Sequence, residues 1–141
     1  MNDVDRRSAL ALGFTTAALF PLLQSQPAKA AALYGPNDGK ELRPGIRVVE
    51  IAEVPSEIAA YKQIKVIDVV FQPRAGDPME MPMDMDMVCL ITAGEFDITK
   101  RGKTFHVKEG DVYTCGKGKT DKATNTTDGM GVHRIALLVA A

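Results

Sequence analysis

Between Met79 and Met87 the chain reads Met-Glu-Met-Pro-Met-Asp-Met-Asp-Met, so five of its seven methionines fall within nine residues, one at every second position. Alternate side chains of an extended strand share a face, which places five thioethers on one side and Glu80, Asp84 and Asp86 on the other. Cys89 continues the same parity. Thioethers are soft, uncharged donors that suit Cu(I) and serve Zn(II), Fe(II) or Mg(II) poorly. Met81, Met83, Met85 and Met87, with Cys89 as a helper, are therefore candidate ligands for copper or another soft metal. The same pattern also fits packing, because the flexible thioether fills irregular cores and lines adaptable apolar surfaces. Pro82 lacks a backbone donor and suits an edge strand or loop, which would leave part of the run exposed. Metal binding, core filling and apolar-ligand lining all stay open at this level.

The remaining chemistry-bearing residues are sparse. Cys89 and Cys115 are the only cysteines and His106 and His133 the only histidines. Two cysteines outside a reducing compartment are compatible with a disulfide, and equally with two buried thiols or with soft-metal ligands. His106 and His133 lie in short β-rich runs and read as half-exposed strand residues. Asp121 and Asp84 are the carboxylates best placed for general acid–base work, which would need a low-dielectric site to raise their pKa. Asp121 also reads as a solvated turn residue. No carboxylate pair has a distinctive spacing.

These residues are embedded in a β-rich chain. Strands are expected over 46–51, 63–72, 87–92, 95–100, 104–107, 111–115, 122–127 and 132–139, from alternating or β-branched runs separated by Gly-containing turns. Such regular spacing points to an all-β sandwich or barrel. Only residues 55–61 carry a short helical pattern, and residues 31–45 read as an arm with a turn cluster at Gly35-Pro36-Asn37-Asp38-Gly39.

The first thirty residues have a different character. Arg6-Arg7 precedes a nearly uncharged apolar stretch from Ala9 to Leu23, and Ala28-Lys29-Ala30 offers small residues for cleavage. This is the plan of a secretory signal, and the paired arginines resemble the twin-arginine type, which exports folded proteins. The apolar stretch of fifteen residues is shorter than the roughly 20 needed to span a bilayer, so residues 1–30 read as a signal helix that is removed. The bases then fall from 17 to 14 and the acids from 18 to 16, a net charge of −2 on the remaining 111 residues. Nothing in that balance favours nucleic acid, and no further apolar run favours a membrane. The expected location is the periplasm or another exported compartment, with a metal ion or small molecule as partner.

Val88-Cys89-Leu90-Ile91-Thr92-Ala93-Gly94-Glu95 resembles the strand and turn that close the first motif of the cupin family. Gly110-Asp111, Gly116, Gly118 and Asn125 fall on the second motif, with Gly116 where that motif has a proline and Asp121 where it has a histidine. The resemblance implies an all-β, single cupin-like double-stranded β-helix (jelly-roll) barrel over residues 46–141. It also implies cofactor-binding positions at Asp121 and Asn125, and admits a homodimer, since such barrels commonly pair through their sheets. Metal-binding cupins carry three histidines and a glutamate. Here those positions fall on Met81 and Met83, or on Glu80 and Pro82 in the longer spacing, together with Met87 and Asp121. The usual iron or manganese ligand set is thus missing. The resulting expectation is an exported binding protein that holds Cu(I) or another soft metal rather than an enzyme. A metal-independent cupin enzyme and an apolar small-molecule module are the alternatives.

Overall fold

The computed structural model describes residues 34–141. The signal peptide expected over residues 1–30 and the first residues of the arm lie outside the described residues. Ten strands follow in order: β1 (Lys40–Arg43), β2 (Ile46–Pro55), β3 (Tyr61–Phe71), β4 (Met81–Pro82), β5 (Asp86–Ala93), β6 (Glu95–Lys100), β7 (Lys103–Lys108), β8 (Val112–Cys115), β9 (Thr120–Asn125) and β10 (Gly131–Ala140). No helix occurs among the described residues. A six-stranded sheet in the order β1-β2-β3-β10-β5-β8 faces a four-stranded sheet in the order β4-β9-β6-β7, and every named pairing is antiparallel.

The period-2 alternation of the strands builds the core. Phe96, Ile98 and Ala123 from the smaller sheet meet Ile46, Val69, Phe71 and Ile91 from the larger one, all buried. The register across the larger sheet sets its inner face in rows. Val48, Val69, His133 and Ile91 lie side by side, followed by Ile67, Ile135, Cys89 and Tyr113, and then by Leu137, Met87 and Cys115. Between β5 and β10 the register slips, so Val132 opposes Ala93 while the next residue, His133, opposes Ile91. Thr92 is the extra residue of this β-bulge, and such bulges redirect neighbouring side chains. The slip lets Ala93 join Val70 and Val132 in a second buried cluster with Tyr34, Val49 and Met130.

Two glycines are required by geometry. Gly94 turns the chain between β5 and β6 at φ +79°, and a side chain there would also meet the backbone of Gly131 at 3.0 Å. Gly131 itself lies against the Phe96 ring, where a Cβ would fall 2.4 Å from Cζ.

Several sequence expectations change. Residues 56–60 form the β2–β3 connection and no helix: the Ser56 hydroxyl accepts the Ile58 amide at 3.0 Å and Tyr61 N–H donates to Ile58 C=O at 2.9 Å. Serine competes in this way with helical bonding of its own backbone. Within the stretch read as an arm, Lys40–Arg43 pairs with β2 as β1. The methionine run is not one continuous strand either. Met81–Pro82 belongs to the smaller sheet and Asp86–Ala93 to the larger, with a bend at Asp84-Met85 between them.

Candidate functional site

The site is a cavity of ≈ 210 Å³ between the two sheets. Its aliphatic wall comes from inward-facing positions of β3 and β10: Ile67, Val69, Ile135 and Leu137, with Phe71 below. Met87 and Cys89 project from β5, Tyr113 from β8, and Asp121 and Ala123 from β9. Met81, Pro82 and Met83 cross the opening, and Leu42, Arg43 and Asp77 complete its rim.

The bend in the methionine run decides which sulfurs meet. Met83 is fixed by its own backbone, which donates to Lys119 C=O at 2.9 Å and accepts from Gly118 N–H at 2.8 Å. Asp86 is fixed by its carboxylate, which accepts Lys117 N–H at 2.8 Å and the Tyr61 hydroxyl at 3.1 Å. The two anchors force a turn at Asp84-Met85, and strict alternation fails there. Met81, Met83, Met87 and Cys89 line the cavity, whereas Met85 lies in a separate surface depression beside Leu138, Val139 and Ala140. Met79 is exposed. Glu80 holds the β6–β7 turn by accepting Arg101 and Gly102 amides and the Thr120 hydroxyl.

Asp121 and Asn125 part company. Asp121 is buried on β9 and lines the cavity, so it is not a solvated turn carboxylate. Asn125 is 1% exposed, and its side chain is fully committed inside the protein. Its amide donates to Gln72 and Gly129 carbonyls, and its oxygen accepts the Thr127 amide and hydroxyl. Asn125 thus pins the β9–β10 loop and has no hydrogen bond left for a ligand.

The histidines also separate. His106 is exposed on β7, between Asp97 and Glu95 at 2.9 Å each, and these carboxylates raise its pKa, Asp97 more than Glu95. His133, expected to be half-exposed, is 2% exposed and lines the cavity. Its ring lies 4.0 Å from Phe96 and 5.2 Å from Phe71, centroid to centroid. Its parity with Ile135 and Leu137 was the signal in the sequence that could have placed it inside. Tyr113, at 3.4 Å from His133 Nδ1 through its hydroxyl, had no such signal.

Burial governs the protonation of the cavity. It pushes the Cys89 thiol up to about 12, an effect that the neighbouring Tyr113 hydroxyl offsets only in part. It raises the Tyr113 hydroxyl well above the usual range and pushes His133 down to about 3. It also raises Asp121, where Lys100 pulls the other way and Asp77 and Glu80 add to the rise. At neutral pH the sulfur-lined wall therefore offers thioethers, a protonated thiol and a neutral imidazole. The two cysteines lie on neighbouring strands, Cys89 opposite Tyr113 and Cys115 opposite Met87. Both are buried free thiols.

At the rim, Arg43 forms an ion pair with Asp77. Asp77 also accepts the Ala123 amide at 2.9 Å, so the pair ties β1 to β9 across the mouth. Among the described residues no group of three or more His, Cys, Asp or Glu side chains is arranged to hold a metal.

No family model matches the sequence, and no curated protein does. Solved structures are similar. KdgF from a Halomonas species superposes with a TM-score of 0.59 at 17% identity, over 72% of this chain and 86% of its own. A cupin superfamily protein from Desulfitobacterium hafniense DCB-2 gives 0.56 at 17% identity, over 82% and 93%. A Cupin 2 conserved barrel domain protein from Salinispora arenicola CNS-205 gives 0.55 at 15%, over 70% and 79%. Likeness at such identities speaks to architecture alone, and function has to be argued from the site. The described chain has the cupin fold.

Proposed function

We propose that this chain is an exported binding protein that holds Cu(I), or another soft metal ion, on the sulfurs of Met81, Met83 and Met87, with Cys89 as helper. Its work is buffering, delivery or sensing rather than turnover. The observation that carries this reading is that three thioethers and a thiol line one cavity. Soft donors select Cu(I) over the harder divalent ions. Met85, a candidate from the sequence, takes no part because the bend turns it away. The Cys89 thiol keeps its proton until a cation displaces it, so metal uptake releases a proton if this sulfur is engaged. The twin-arginine-like signal supports work in an oxidising compartment, and processing near Ala30 or Ala32 is tested by the intact mass of exported protein.

The test is a Cu(I) titration of the processed chain against a competing chelator. One equivalent binds, and the Met81→Leu/Met83→Leu/Met87→Leu variant binds at least 100-fold more weakly. Met-to-Leu exchange conserves volume and costs little stability. Equal binding by the triple variant overturns the proposal.

The aliphatic wall of Ile67, Val69, Ile135 and Leu137 favours a second reading, an apolar small-molecule site. In that case Asp121 is the polar anchor, or the acid–base group of a metal-independent enzyme. Elemental analysis of protein recovered from the periplasm separates the two readings: about one copper per chain supports the first, none supports the second.

A further inference from the structure

We infer that His133 supplies the nitrogen donor of the soft-metal site through Nε2, with Tyr113 as the positioning residue that fixes its tautomer. The inference rests on the metal-binding reading above. It starts from an anomaly: His133 Nε2 is buried and has no hydrogen-bond partner within the protein, although buried polar atoms are almost always paired. The ring is held firmly, wedged against Phe96 and Phe71 beside the Thr92 bulge. It lines the same cavity as the three thioethers. In the register of the larger sheet, His133 opposes Ile91 and so lies diagonally from Cys89 on the same face. Diagonal neighbours on adjacent strands are within reach of long and aromatic side chains.

Proton accounting assigns the tautomer. A neutral imidazole carries one hydrogen: on Nε2 it would be a buried N–H with no acceptor within the protein, and orphaned buried N–H groups are rare. On Nδ1 it faces the Tyr113 hydroxyl oxygen 3.4 Å away, which can accept it. Nδ1 then carries the imidazole hydrogen and Nε2 keeps a free lone pair. This is the arrangement of metal-ligating histidines, which donate through one ring nitrogen to an outer partner and bind through the other. Burial also keeps the ring neutral, as a ligand must be. His133 on β10 and Cys89 on β5 then bring one nitrogen and one sulfur to the cavity that the thioethers line.

The chain has only two histidines, so nitrogen NMR of ¹⁵N-labelled protein resolves them, with exposed His106 as internal control. Ag(I), a closed-shell soft cation, serves as a diamagnetic probe in place of Cu(I). Metal-free protein shows the Nδ1–H tautomer at His133. One equivalent of Ag(I) shifts the His133 Nε2 signal while His106 stays in place. His133→Gln keeps the stoichiometry and weakens Cu(I) binding at least tenfold, and Tyr113→Phe weakens it less and scrambles the tautomer. If Ag(I) binds and the His133 signals do not move, the inference is overturned and the thioether site stands. If neither Ag(I) nor Cu(I) binds the wild type, both fall together. The NMR readout uses the wild-type chain, so poor folding of a variant does not blunt it.

Discussion

Asp68 sits in the middle of β3 with no solvent exposure, where an ionised carboxylate is ordinarily costly. Burial by itself pushes this carboxyl up. The bidentate Arg134 guanidinium, at 2.9 and 2.8 Å, and the Tyr34 hydroxyl more than offset that and hold it below its usual value. A depressed carboxylate pKa means that the folded state resists protonation more than the unfolded chain does. The group's stabilisation is therefore complete above the ordinary carboxylate pKa of about 4 and is lost as pH falls from there through the folded value. Asp68→Asn is expected to cost about 2 kcal/mol at pH 7, the scale for hydrogen bonds to a charged group, because the Arg134 it leaves behind is half-exposed. The gap to wild type should narrow below about pH 4, as measured by urea unfolding at a series of pH values. A gap constant from pH 7 to pH 2.5 contradicts this account. The Asp68–Arg134 pair was invisible in the sequence because it joins residues 66 apart. The same holds for Tyr113 and His133: parity on β10 identifies an inward histidine, but only the β8–β5–β10 order brings a tyrosine to it.

At the level of elements, hydrophobic alternation was sufficient where a strand has one buried face. β6, with Phe96 and Ile98 buried, and β10, with its Ile135 and Leu137, were both readable. β1 was not, since Lys-Glu-Leu-Arg has no alternation to see and is mostly exposed. The methionine segment failed differently. Its period of two is regular in the sequence, yet Met83 is tied to the β8–β9 turn and Asp86 to Lys117, and no sequence period records that the chain changes sheets between them. The glycine turn at Gly94 was legible, but the close approach of Gly131 to Phe96 was not. That contact gives a test of how tightly the sheets are joined: Gly131→Ala places a methyl where the Phe96 ring lies and is expected to cost about 1–3 kcal/mol from overpacking. Because Phe96 also packs on His133 at 4.0 Å, the imidazole signals should move in the same variant. Wild-type stability in urea would show that the sheets can part without cost.

For the whole molecule, one consequence separates a metal-binding barrel from a merely folded one. An ion that binds only the folded chain stabilises it by RT ln(1 + [L]/Kd), about 2.7 kcal/mol at a free concentration of 100 Kd. For a domain of this size each kcal/mol moves Tm by about 4–8 °C, so saturating Ag(I) should raise the melting temperature by at least about 10 °C. The proposed ligands come from both sides of the fold: Met81 lies on β4 of the smaller sheet, while Met87 and Cys89 lie on β5 of the larger. An ion held between them cross-links the two layers, so the gain should appear as one cooperative transition rather than as local protection. The Met81→Leu/Met83→Leu/Met87→Leu variant should keep a metal-free Tm near that of wild type and lose most of the increase with Ag(I). If Ag(I) raises both proteins equally, the sulfurs of these methionines are not what the ion holds. If wild-type Tm does not respond to Ag(I) at all, the cavity is an apolar pocket lined with methionine, and the packing reading of the run prevails.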